Sequence, residues 1–322
     1  MVAITGATGL LGGHIVERLL SEGINLVAIH RPGHERLLPT QVTKRPADIL
    51  DQASLREALE GVSTVIHAAA FVSFNPRLRK KVFEVNVQGT RHLVDTCLQQ
   101  GISNFIHISS VAALGRRQGE LITEESKWID SFPTDYSEAK YLAELEVYRG
   151  AEEGLTVSML NPSVILSGSQ PHRSSAVLFD YVWNERPFYT KGSINYVDAR
   201  DVAEVVFRLL LQPQPGEKFI LSAGSVSYKN FFSSVARNLN RRAPFISISS
   251  ILPYWLGWAE ETRALLFNKE PMVTRQSAKM AIQSFRYDNR KAQDLIGIKF
   301  RTLEESLSWC CQEYLRNVNP NK

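Results

Sequence analysis

Three evenly spaced glycines near the N-terminus constrain the fold of this chain more than any other feature. Gly6, Gly9 and Gly12 follow a short β-branched run and precede an amphipathic stretch. A strand, a tight glycine turn and a helix in this order bind the pyrophosphate of a dinucleotide. The first glycine permits the turn, the second lets the main chain approach the phosphates, and the third allows close helix–strand packing. This context favours dinucleotide binding over an ordinary tight turn.

The first two-thirds of the chain alternates between predicted strands and predicted helices. The strands are nearly continuous apolar runs, which is typical of a parallel sheet covered on both faces. With right-handed crossovers the pattern predicts an α/β fold with a doubly wound parallel sheet. The predicted strands are Val2–Thr5, Asn25–His30, Thr64–Ala68, Asn104–Ser110, Leu155–Leu160 and Lys218–Ser222. The predicted helices are His14–Glu22, Ala53–Glu60, Arg79–Gln100, Tyr136–Glu153 and Asp201–Leu211.

The alternation ends after about Gly224, where we expect helices and loops without further parallel strands. The last helix is the clearest of these, because Thr302 and Glu305 have the spacing of a capping box. The sequence therefore predicts a nucleotide-binding domain and a smaller, mostly helical substrate lobe. The domain comprises residues 1–160 with 195–223 returning to it, and the lobe comprises residues 161–194 and 224–322.

The composition is that of an ordinary globular protein, with 44% hydrophobic and 22% charged residues and a net charge of +4. The strongest basic cluster, Arg77–Lys81, has the pattern of a solvated helix start, so we expect no nucleic-acid partner. The three cysteines and seven histidines lack the spacing of a disulfide framework or a metal site, which fits a reducing compartment. No apolar run is long enough to span a bilayer. The first predicted strand begins at Val2, so we expect no signal peptide. We expect a cytoplasmic protein without stable membrane insertion and without a metal.

The residues after the second predicted strand bear on the choice between NAD and NADP. NAD-binding proteins of this kind usually place Asp or Glu about 20 residues past the glycines, where it binds the ribose 2′-hydroxyl. Here that place is occupied by His30 and Arg31. A guanidinium binds a 2′-phosphate through two charge-assisted hydrogen bonds, whereas a carboxylate repels it. We therefore predict NADP(H), with NAD(H) as the alternative if Arg31 points to solvent.

The segment DYSEAKYLAE carries the strongest catalytic signal. Tyr136 and Lys140 are four residues apart in a predicted helix and so share a face. A nearby ammonium lowers the pKa of a phenol, which lets tyrosine exchange a proton with a substrate oxygen at neutral pH. Ser110 ends a predicted strand upstream, and its hydroxyl can hold the same oxygen. Together these residues predict the interconversion of a carbonyl and an alcohol.

These motifs identify a family resemblance. The glycine segment TGATGLLG has the spacing G-x-x-G-x-x-G, and a serine and Y-x-x-x-K follow downstream. The chain resembles the extended short-chain dehydrogenases/reductases of the NAD-dependent epimerase/dehydratase superfamily, from Val2 to about Leu315. Within them it is similar to dihydroflavonol-reductase-like and 3β-hydroxysteroid-dehydrogenase-like members. The resemblance implies a Rossmann domain, NAD(P) as cofactor, and a homodimer formed through the long helices at about 79–100 and 136–153.

The resemblance also implies cofactor contacts outside the glycine turn. Asp48 and Ile49 match an adenine-binding loop, and the small residues of HAAA match the turn beneath the cofactor. The segment LNPSV matches the one that contacts the nicotinamide amide. The expected cofactor-binding residues are Gly6, Thr8, Gly9, Leu10, Leu11, Gly12, His30, Arg31, Asp48, Ile49, Ala68, Ala69, Ala70, Ser109, Tyr136, Lys140, Pro162, Ser163 and Val164.

Two further assignments depend on the resemblance. The family's serine lies five residues before a glycine, here Gly115, which selects Ser110 over Ser109. Asn86 in VNVQGT matches an asparagine beneath the active site, which implies a supporting role in catalysis through its main chain or a water. The expected substrate contacts are Phe71, Ser73, Ala112 and His172. Their mixture of aromatic and apolar groups favours a small, largely apolar carbonyl compound and does not exclude a sugar.

Three classes of function fit these motifs: a reductase, a nucleotide-sugar epimerase with tightly bound NAD, and a dinucleotide sensor without activity. The intact set of Ser110, Tyr136 and Lys140 argues against a sensor. Val111–Ala113 supply no acidic group beside the serine, which argues against a dehydratase. The epimerases usually have an acidic residue where His30 stands. We therefore predict an NADP(H)-dependent reductase, with the epimerase as the alternative.

Overall fold

The structure is a computed structural model that describes residues 1–129, 133–170, 174–248, 276 and 280–318. Its strands are β1 (Val2–Thr5), β2 (Leu26–His30), β3 (Thr43–Pro46), β4 (Thr64–His67), β5 (Asn104–Ile108), β6 (Leu121–Ile122), β7 (Thr156–Pro162), β8 (Val164–Leu166), β9 (Phe188–Thr190), β10 (Ser193–Asp198), β11 (Lys218–Leu221), β12 (Gly224–Ser227), β13 (Ile246–Ile248) and β14 (Arg286–Tyr287). Its α-helices are α1 (Leu10–Ser21), α2 (Gln52–Ala58), α3 (Arg79–Phe83), α4 (Gly89–Gln99), α5 (Asp135–Glu152), α6 (Val177–Trp183), α7 (Ala199–Leu211), α8 (Tyr228–Leu239), α9 (Arg290–Ile296) and α10 (Leu303–Val318).

Seven parallel strands form the main sheet in the order β11-β7-β5-β4-β1-β2-β3. The chain leaves β1 toward β2 on one side and reaches β4 on the other side of β1. The strand order therefore reverses at β1, which is where doubly wound sheets bind their ligands. The predicted fold class is confirmed.

Successive residues of a strand point to opposite sides of the sheet, so apolar side chains lie on both faces. Helices cover both of these faces. Ile4 and Ile106 lie in one apolar cluster with α1, α7 and α9, whereas Ala3 and Phe105 lie in another with α2, α4 and α5. Both clusters are fully buried. The near-continuous apolar character of the strands follows from this burial on two sides.

Close main-chain contacts hold β1, α1 and the end of β4 together at the glycine turn. Gly6 has a φ of +75°, and a Cβ atom there would lie 2.6 Å from the main chain of Ala68. A Cβ atom on Gly12 would lie 2.0 Å from the carbonyl oxygen of Gly6. Both positions therefore exclude any side chain, as the sequence predicts for the first and third glycines.

A second, smaller layer contains the three-stranded sheet β12-β10-β8 and the helices α6, α8 and α10. Its apolar core includes Phe179, Phe231 and Tyr314. The predicted capping box of α10 is confirmed, because the amides of Thr302 and Glu305 each donate to the other residue's side chain. Helix α9 lies apart from this layer and packs on the main sheet with α7 and β11.

The expectation of no parallel strands after Gly224 is wrong. Strand β13 pairs in parallel with β9, and β14 pairs in parallel with β6. Each of these strands is two or three residues long, which is too short for a periodic pattern to reveal. The prediction also missed β3, β6, β8, β9, β10 and β12, most of which are short or rich in polar residues.

The predicted helix Arg79–Gln100 is also wrong as a continuous α-helix. A π-helical segment, Glu84–Gln88, separates α3 from α4. Such segments hold one extra residue per turn and often occur at functional sites. Helix α1 begins at Leu10 rather than His14 because glycines occupy its first turns and mask the helical pattern.

The sequence analysis also made predictions about the basic segment, the cysteines, membrane-spanning helices and metal sites. The basic segment Arg77–Lys81 is exposed around the start of α3, as predicted. Cys97, Cys310 and Cys311 are buried and free. In the part of the chain that the structure describes, no helix is long and apolar enough to cross a bilayer. Within that same part, His, Cys, Asp and Glu side chains form no group of three that could hold a metal ion.

Two adjacent glycines of α1 provide a test of the close packing at the turn. We expect Gly12→Ala to lower the free energy of unfolding by about 1–3 kcal/mol, because the new methyl group collides with a carbonyl that cannot move aside. Gly13→Ala is the matched control, since no atom lies within 4 Å of a Cβ there. We expect it to stabilise the protein by roughly 0.5–1 kcal/mol, because alanine favours the helix. Thermal and urea unfolding measure both, and equal effects would contradict the packing argument.

Candidate active site

The predicted site residues that the structure describes lie on segments at one edge of the main sheet. Because the strands are parallel, the segments that follow β1, β2, β3, β4, β5 and β7 all lie at the carboxyl ends of the strands. In a doubly wound sheet the crevice at this edge holds the ligand. The glycine turn, the HAAA turn and the serines after β5 occupy neighbouring positions along it.

The glycine turn has the shape that a dinucleotide pyrophosphate requires. Gly9 is exposed and is the N-cap residue of α1, with no side chain to cap the helix. The free amides at the start of α1 can therefore bind an anion. Leu10 and Leu11 are buried beneath the turn, and the Gln170 side chain donates to the carbonyl oxygen of Thr8.

His30 is the last residue of β2 and is buried, whereas Arg31 follows it and is exposed. The His30 ring is buried and is hydrogen-bonded to the carbonyl oxygen of Arg31. Arg31 is exposed, and its guanidinium makes no ion pair with any residue that the structure describes. The guanidinium is therefore available at the sheet edge.

Asp48 and Ile49 form a turn directly after β3. The Asp48 carboxylate accepts a hydrogen bond from the amide of Leu50 at 2.9 Å, which fixes the turn. Ile49 packs against Gly89 so closely that a Cβ atom on Gly89 would lie 2.6 Å from it. The structure thus places both residues at the sheet edge, next to the first turn of α4.

A chain of hydrogen bonds beneath the HAAA turn runs through His67. The Thr90 hydroxyl donates to the carbonyl oxygen of Asn86 at 2.6 Å, so its oxygen accepts from Nε2 of His67 at 3.0 Å. Nδ1 of His67 then accepts from the Thr5 hydroxyl at 2.8 Å, and Thr5 accepts from the amide of Ala69. Burial and the charge of Lys140 lower the pKa of His67 to about 3, so the ring stays neutral in this tautomer.

Asn86 holds the other end of the same turn. Its side-chain oxygen accepts from the amide of Phe71 at 2.8 Å, and its side-chain nitrogen donates to the carbonyl oxygen of Phe71 at 2.9 Å. The π-helical segment Glu84–Gln88 is what presents this side chain to the turn. Ala68, Ala69 and Ala70 are therefore held at both ends, and Ala70 is exposed.

Ser110 and Tyr136 meet at the start of α5. The Ser110 hydroxyl lies near the Tyr136 phenol, and Ser110 Oγ accepts a hydrogen bond from the amide of Ala112 at 3.1 Å. Phe74 approaches the Tyr136 ring edge-on at 6.1 Å between centroids. Burial raises the pKa of Tyr136, and the Ser110 hydroxyl opposes that rise.

Lys140 lies one turn further along α5 and is fully buried. Its ammonium donates to the carbonyl oxygen of Ile108 at 2.8 Å. Burial lowers the pKa of Lys140 to about 8, and the nearby Glu144 carboxylate opposes this. The sequence predicts that Lys140 lowers the pKa of Tyr136, but the ammonium is directed at a main-chain oxygen instead. Burial therefore has the largest effect on the pKa of Tyr136.

The segment after β7 supplies a buried polar atom that faces no partner. Ser163 is buried, and its hydroxyl makes no hydrogen bond to any described residue. Pro162 ends β7, and Val164 begins β8 with its side chain partly exposed. The uncapped amides at the start of α1 fit the pyrophosphate of a dinucleotide, and Ser163 keeps a hydroxyl without a described partner in the segment after β7, so the residues present fit the cofactor.

The sequence analysis missed a buried polar cluster beneath Ser110. Glu144 accepts from the hydroxyl of Ser109 and the side-chain amide of Asn161, each at 2.6 Å, and pairs with Lys218 at 2.8 Å. Glu144 lies four residues after Lys140, so a carboxylate on the same face was visible in the sequence. Its partners come from the end of β5, from β7 and from β11, and no local pattern links them to it.

The expected substrate contacts lie on two segments. Phe71 and Ser73 are partly buried in the loop after β4, and Ala112 is partly buried in the turn after Ser110. The Ser73 hydroxyl accepts from the amide of Asn75. His172 lies outside the described residues.

Comparison with known proteins agrees with this geometry. Residues 2–222 match the NAD dependent epimerase/dehydratase family. The chain belongs to this family. Its relatives place it among the extended short-chain dehydrogenases/reductases, which are NAD(P)-dependent reductases and dehydrogenases.

Two curated relatives and one solved structure illustrate the similarity. Sterol demethylase protein B of Methylococcus capsulatus is 34% identical over 68% of this chain and 68% of its own. The decarboxylating sterol-4-alpha-carboxylate 3-dehydrogenase of Bos taurus is 28% identical over 79% of this chain and 72% of its own. The crystal structure of gox2253 superposes with a TM-score of 0.85 at 27% identity and covers 100% of this chain and 99% of its own.

The hydrogen-bond chain through His67 can be tested with two threonines of α4. We expect Thr90→Val to lower the free energy of unfolding by about 1–3 kcal/mol, because it leaves Nε2 of His67 buried without an acceptor. It also loosens the HAAA turn, so dinucleotide affinity falls. Thr96→Val is the control, since the buried Thr96 hydroxyl donates only to the carbonyl oxygen of His92 among described residues.

We expect Thr96→Val to cost less than about 1 kcal/mol and to leave dinucleotide affinity unchanged. Urea unfolding and fluorescence titration with NADPH and NADH measure the two effects. Equal losses in the two variants would show that the chain through His67 does not support the turn.

Proposed function

We propose that this protein is an NADP(H)-dependent oxidoreductase that interconverts a carbonyl group and a secondary alcohol on a small, largely apolar substrate. The observation that carries the proposal is that the hydroxyls of Ser110 and Tyr136 lie near each other at the carboxyl edge of the parallel sheet. Lys140 lies one helical turn away on the same helix. This arrangement supplies two hydroxyl donors to one substrate oxygen.

The mechanism follows from the state of these groups. A carbonyl oxygen that enters between the two hydroxyls replaces the interaction between them. It then accepts a hydrogen bond from each, and Ser110 orients it. Since the pKa of Tyr136 is raised by burial, the phenol stays protonated at neutral pH and serves as the acid that gives the oxygen its proton. The bound nicotinamide supplies or accepts the hydride. Asn86 supports the site by holding the turn that carries Phe71.

The residues proposed to hold the cofactor surround the sheet edge. The amides after Gly9 bind the pyrophosphate, Asp48 and Ile49 border the adenine, and Ser163 with its neighbours meets the nicotinamide amide. Arg31 binds the 2′-phosphate of NADP(H), because its guanidinium is exposed and unpaired among the described residues. NAD(H) is the alternative cofactor.

The proposed substrate pocket lies between the cofactor edge and the smaller lobe formed by residues 161–194 and 224–322. Phe71, Ser73 and Ala112 line it from the side of the main sheet, and Phe74 flanks the Tyr136 ring. Aromatic and small apolar groups favour an apolar carbonyl compound. His172 is proposed to contribute from the lobe.

We further propose a homodimer formed through α4 and α5. Leu93, Cys97 and Val147 are buried against the sheet, but Leu145 and Tyr148 on α5 are exposed. Exposed apolar side chains on a long helix fit a two-fold helix bundle. The free buried cysteines support a reducing compartment, and we propose the cytoplasm.

A nucleotide-sugar epimerase with tightly bound NAD is the second candidate, because the matching family includes epimerases. The two functions differ in how the protein holds its cofactor. An oxidoreductase exchanges its dinucleotide and is purified empty or partly loaded. Denaturing the purified protein and finding NAD in near-equal amount would favour the epimerase, whereas empty protein that prefers NADPH favours the reductase.

Tyr136→Phe tests the proposed chemistry. We expect NADPH-dependent reduction of ketones and aldehydes by the wild type, and a loss of at least about 100-fold in kcat in the variant, because it lacks the acid. Dinucleotide affinity should stay within a few-fold. Tyr141→Phe on the same helix is the control, since the Tyr141 ring stacks on Trp128 and phenylalanine can keep that contact. Near-normal turnover by Tyr136→Phe would remove this residue from the mechanism.

Arg31→Ala tests the preference for NADP(H). We expect the Kd for NADPH to rise about 10- to 100-fold, with that for NADH little changed, because a charge-assisted contact to the 2′-phosphate is lost. Arg36→Ala is the control from the same exposed loop. Fluorescence titration measures both cofactors. Equal losses for NADPH and NADH, or a selective loss in Arg36→Ala alone, would show that Arg31 does not bind the phosphate.

A further inference from the structure

Glu144 is the most completely buried carboxylate near the candidate active site, and its partners come from three strands. Its side chain is 1% exposed. Oε1 accepts from the Ser109 hydroxyl and the Asn161 side chain, and Oε2 accepts from the Lys218 ammonium. This one carboxylate therefore links α5 to the ends of β5 and β7 and to the start of β11.

The same hydrogen bonds fix the main chain of the predicted catalytic serine. Nδ2 of Asn161 donates to Glu144 and also to the carbonyl oxygen of Ser110, the latter at 2.8 Å. Ser109 is held through its hydroxyl by Glu144 and through its amide by the carbonyl oxygen of Leu160. The position of Ser110 thus depends on the Glu144 carboxylate at two points.

Glu144 also faces Lys140 across one turn of α5. The titratable groups around the two residues are His67 at the end of β4, His107 in β5, Lys218 in β11, and Tyr136 and Tyr148 on α5. Burial lowers the pKa of both histidines far enough to keep them neutral. Among these described groups, only Glu144 brings a negative charge to the buried ammonium.

We propose that Glu144 is a positioning residue of the active site, which aligns the Ser109–Ser110 segment and keeps the buried Lys140 ammonium charged. This rests on the function proposed above for Ser110, Tyr136 and Lys140. Lys218 is the counter-ion that makes burial of the carboxylate tolerable. Burial alone would lower the pKa of Lys218, but the pair with Glu144 outweighs it and raises that pKa.

The direction of the electrostatic effect follows from the sign of the charges. An opposite charge favours the ionised form, so the carboxylate opposes the fall in the pKa of Lys140 that burial causes. Without the carboxylate, Lys140 loses its proton at lower pH. In the reductive direction, activity then declines at lower pH, because the charged ammonium is lost before the phenol titrates.

The test uses Glu144→Gln and two companion variants. The glutamine keeps the shape and can still accept from Ser109, but it leaves Lys218 buried without a counter-ion. Glu144→Gln combined with Lys218→Met removes both charges, which avoids that penalty and keeps the fold stable. Glu204→Gln is the matched control, because this partly buried carboxylate on α7 also has two cationic partners, Arg18 and Arg208.

The first readout does not depend on any substrate. In protein labelled with carbon-13 at lysine Cε, the signal that disappears in Lys140→Arg is that of Lys140, and its shift with pH gives the pKa. We expect the titration of Lys140 to move to lower pH by about one pH unit in Glu144→Gln, and by less in the double variant, which also loses the positive charge of Lys218. Glu204→Gln should leave it unchanged. An unchanged titration in Glu144→Gln, or the same shift in the control, would overturn the proposal.

The second readout is the pH profile of carbonyl reduction. We expect the alkaline decline of kcat to move to lower pH in both Glu144 variants, and the double variant to unfold at nearly the wild-type temperature. A loss of activity that is independent of pH would mean a merely structural role and would overturn the electrostatic part. If the wild type reduces no carbonyl compound, the proposed function fails, while the lysine titration still decides the role of Glu144.

Discussion

The main chain of Gly6 lies directly against the main chain of Ala68, and the rest of the site depends on this contact. It brings the ends of β1 and β4 together, while Gly12 brings α1 onto the same turn. The helix start then faces the crevice, and the HAAA turn forms its floor. No side chain fits between these segments, so the distance between the amides at the start of α1 and the floor is fixed by main-chain contacts alone.

A second constraint is the polar interior beneath this floor. His67, Asn86 and Glu144 are each almost fully buried, and each is satisfied by partners from other elements. Burying such groups costs free energy unless every donor and acceptor is paired, so the partners restrict how the elements can move. A buried ion pair adds little net stability compared with apolar packing, but removing one partner is costly because it leaves an uncompensated buried charge.

The predictable parts of this molecule are those whose signal is local in the sequence. The glycine turn and the pair Tyr136 and Lys140 each lie within one short segment, and their spacing alone indicates their geometry. Lys218, in contrast, is 74 residues from Glu144, and no sequence pattern near either residue predicts that they pair. The short strands β9 and β13 form by pairing with each other, so the β-propensity of either segment alone could not predict them. His67 was visible, but its role depends on Thr5 and Thr90, which only the fold brings to it.

The π-helical segment Glu84–Gln88 makes the length of this helix as important as its composition. An α-helix turns by about 100° for each residue, so one residue more or fewer rotates everything on one side relative to the other. The extra residue here sets the phase that lets α3 stay on the surface while the Asn86 side chain faces the turn. Substitutions on the exposed face keep the rotation of α3 relative to α4 unchanged. A deletion of one residue in the segment before Asn86 would change that rotation by about 100° and turn Asn86 away from Phe71. Tolerance to substitution and tolerance to deletion are therefore separate properties of this helix.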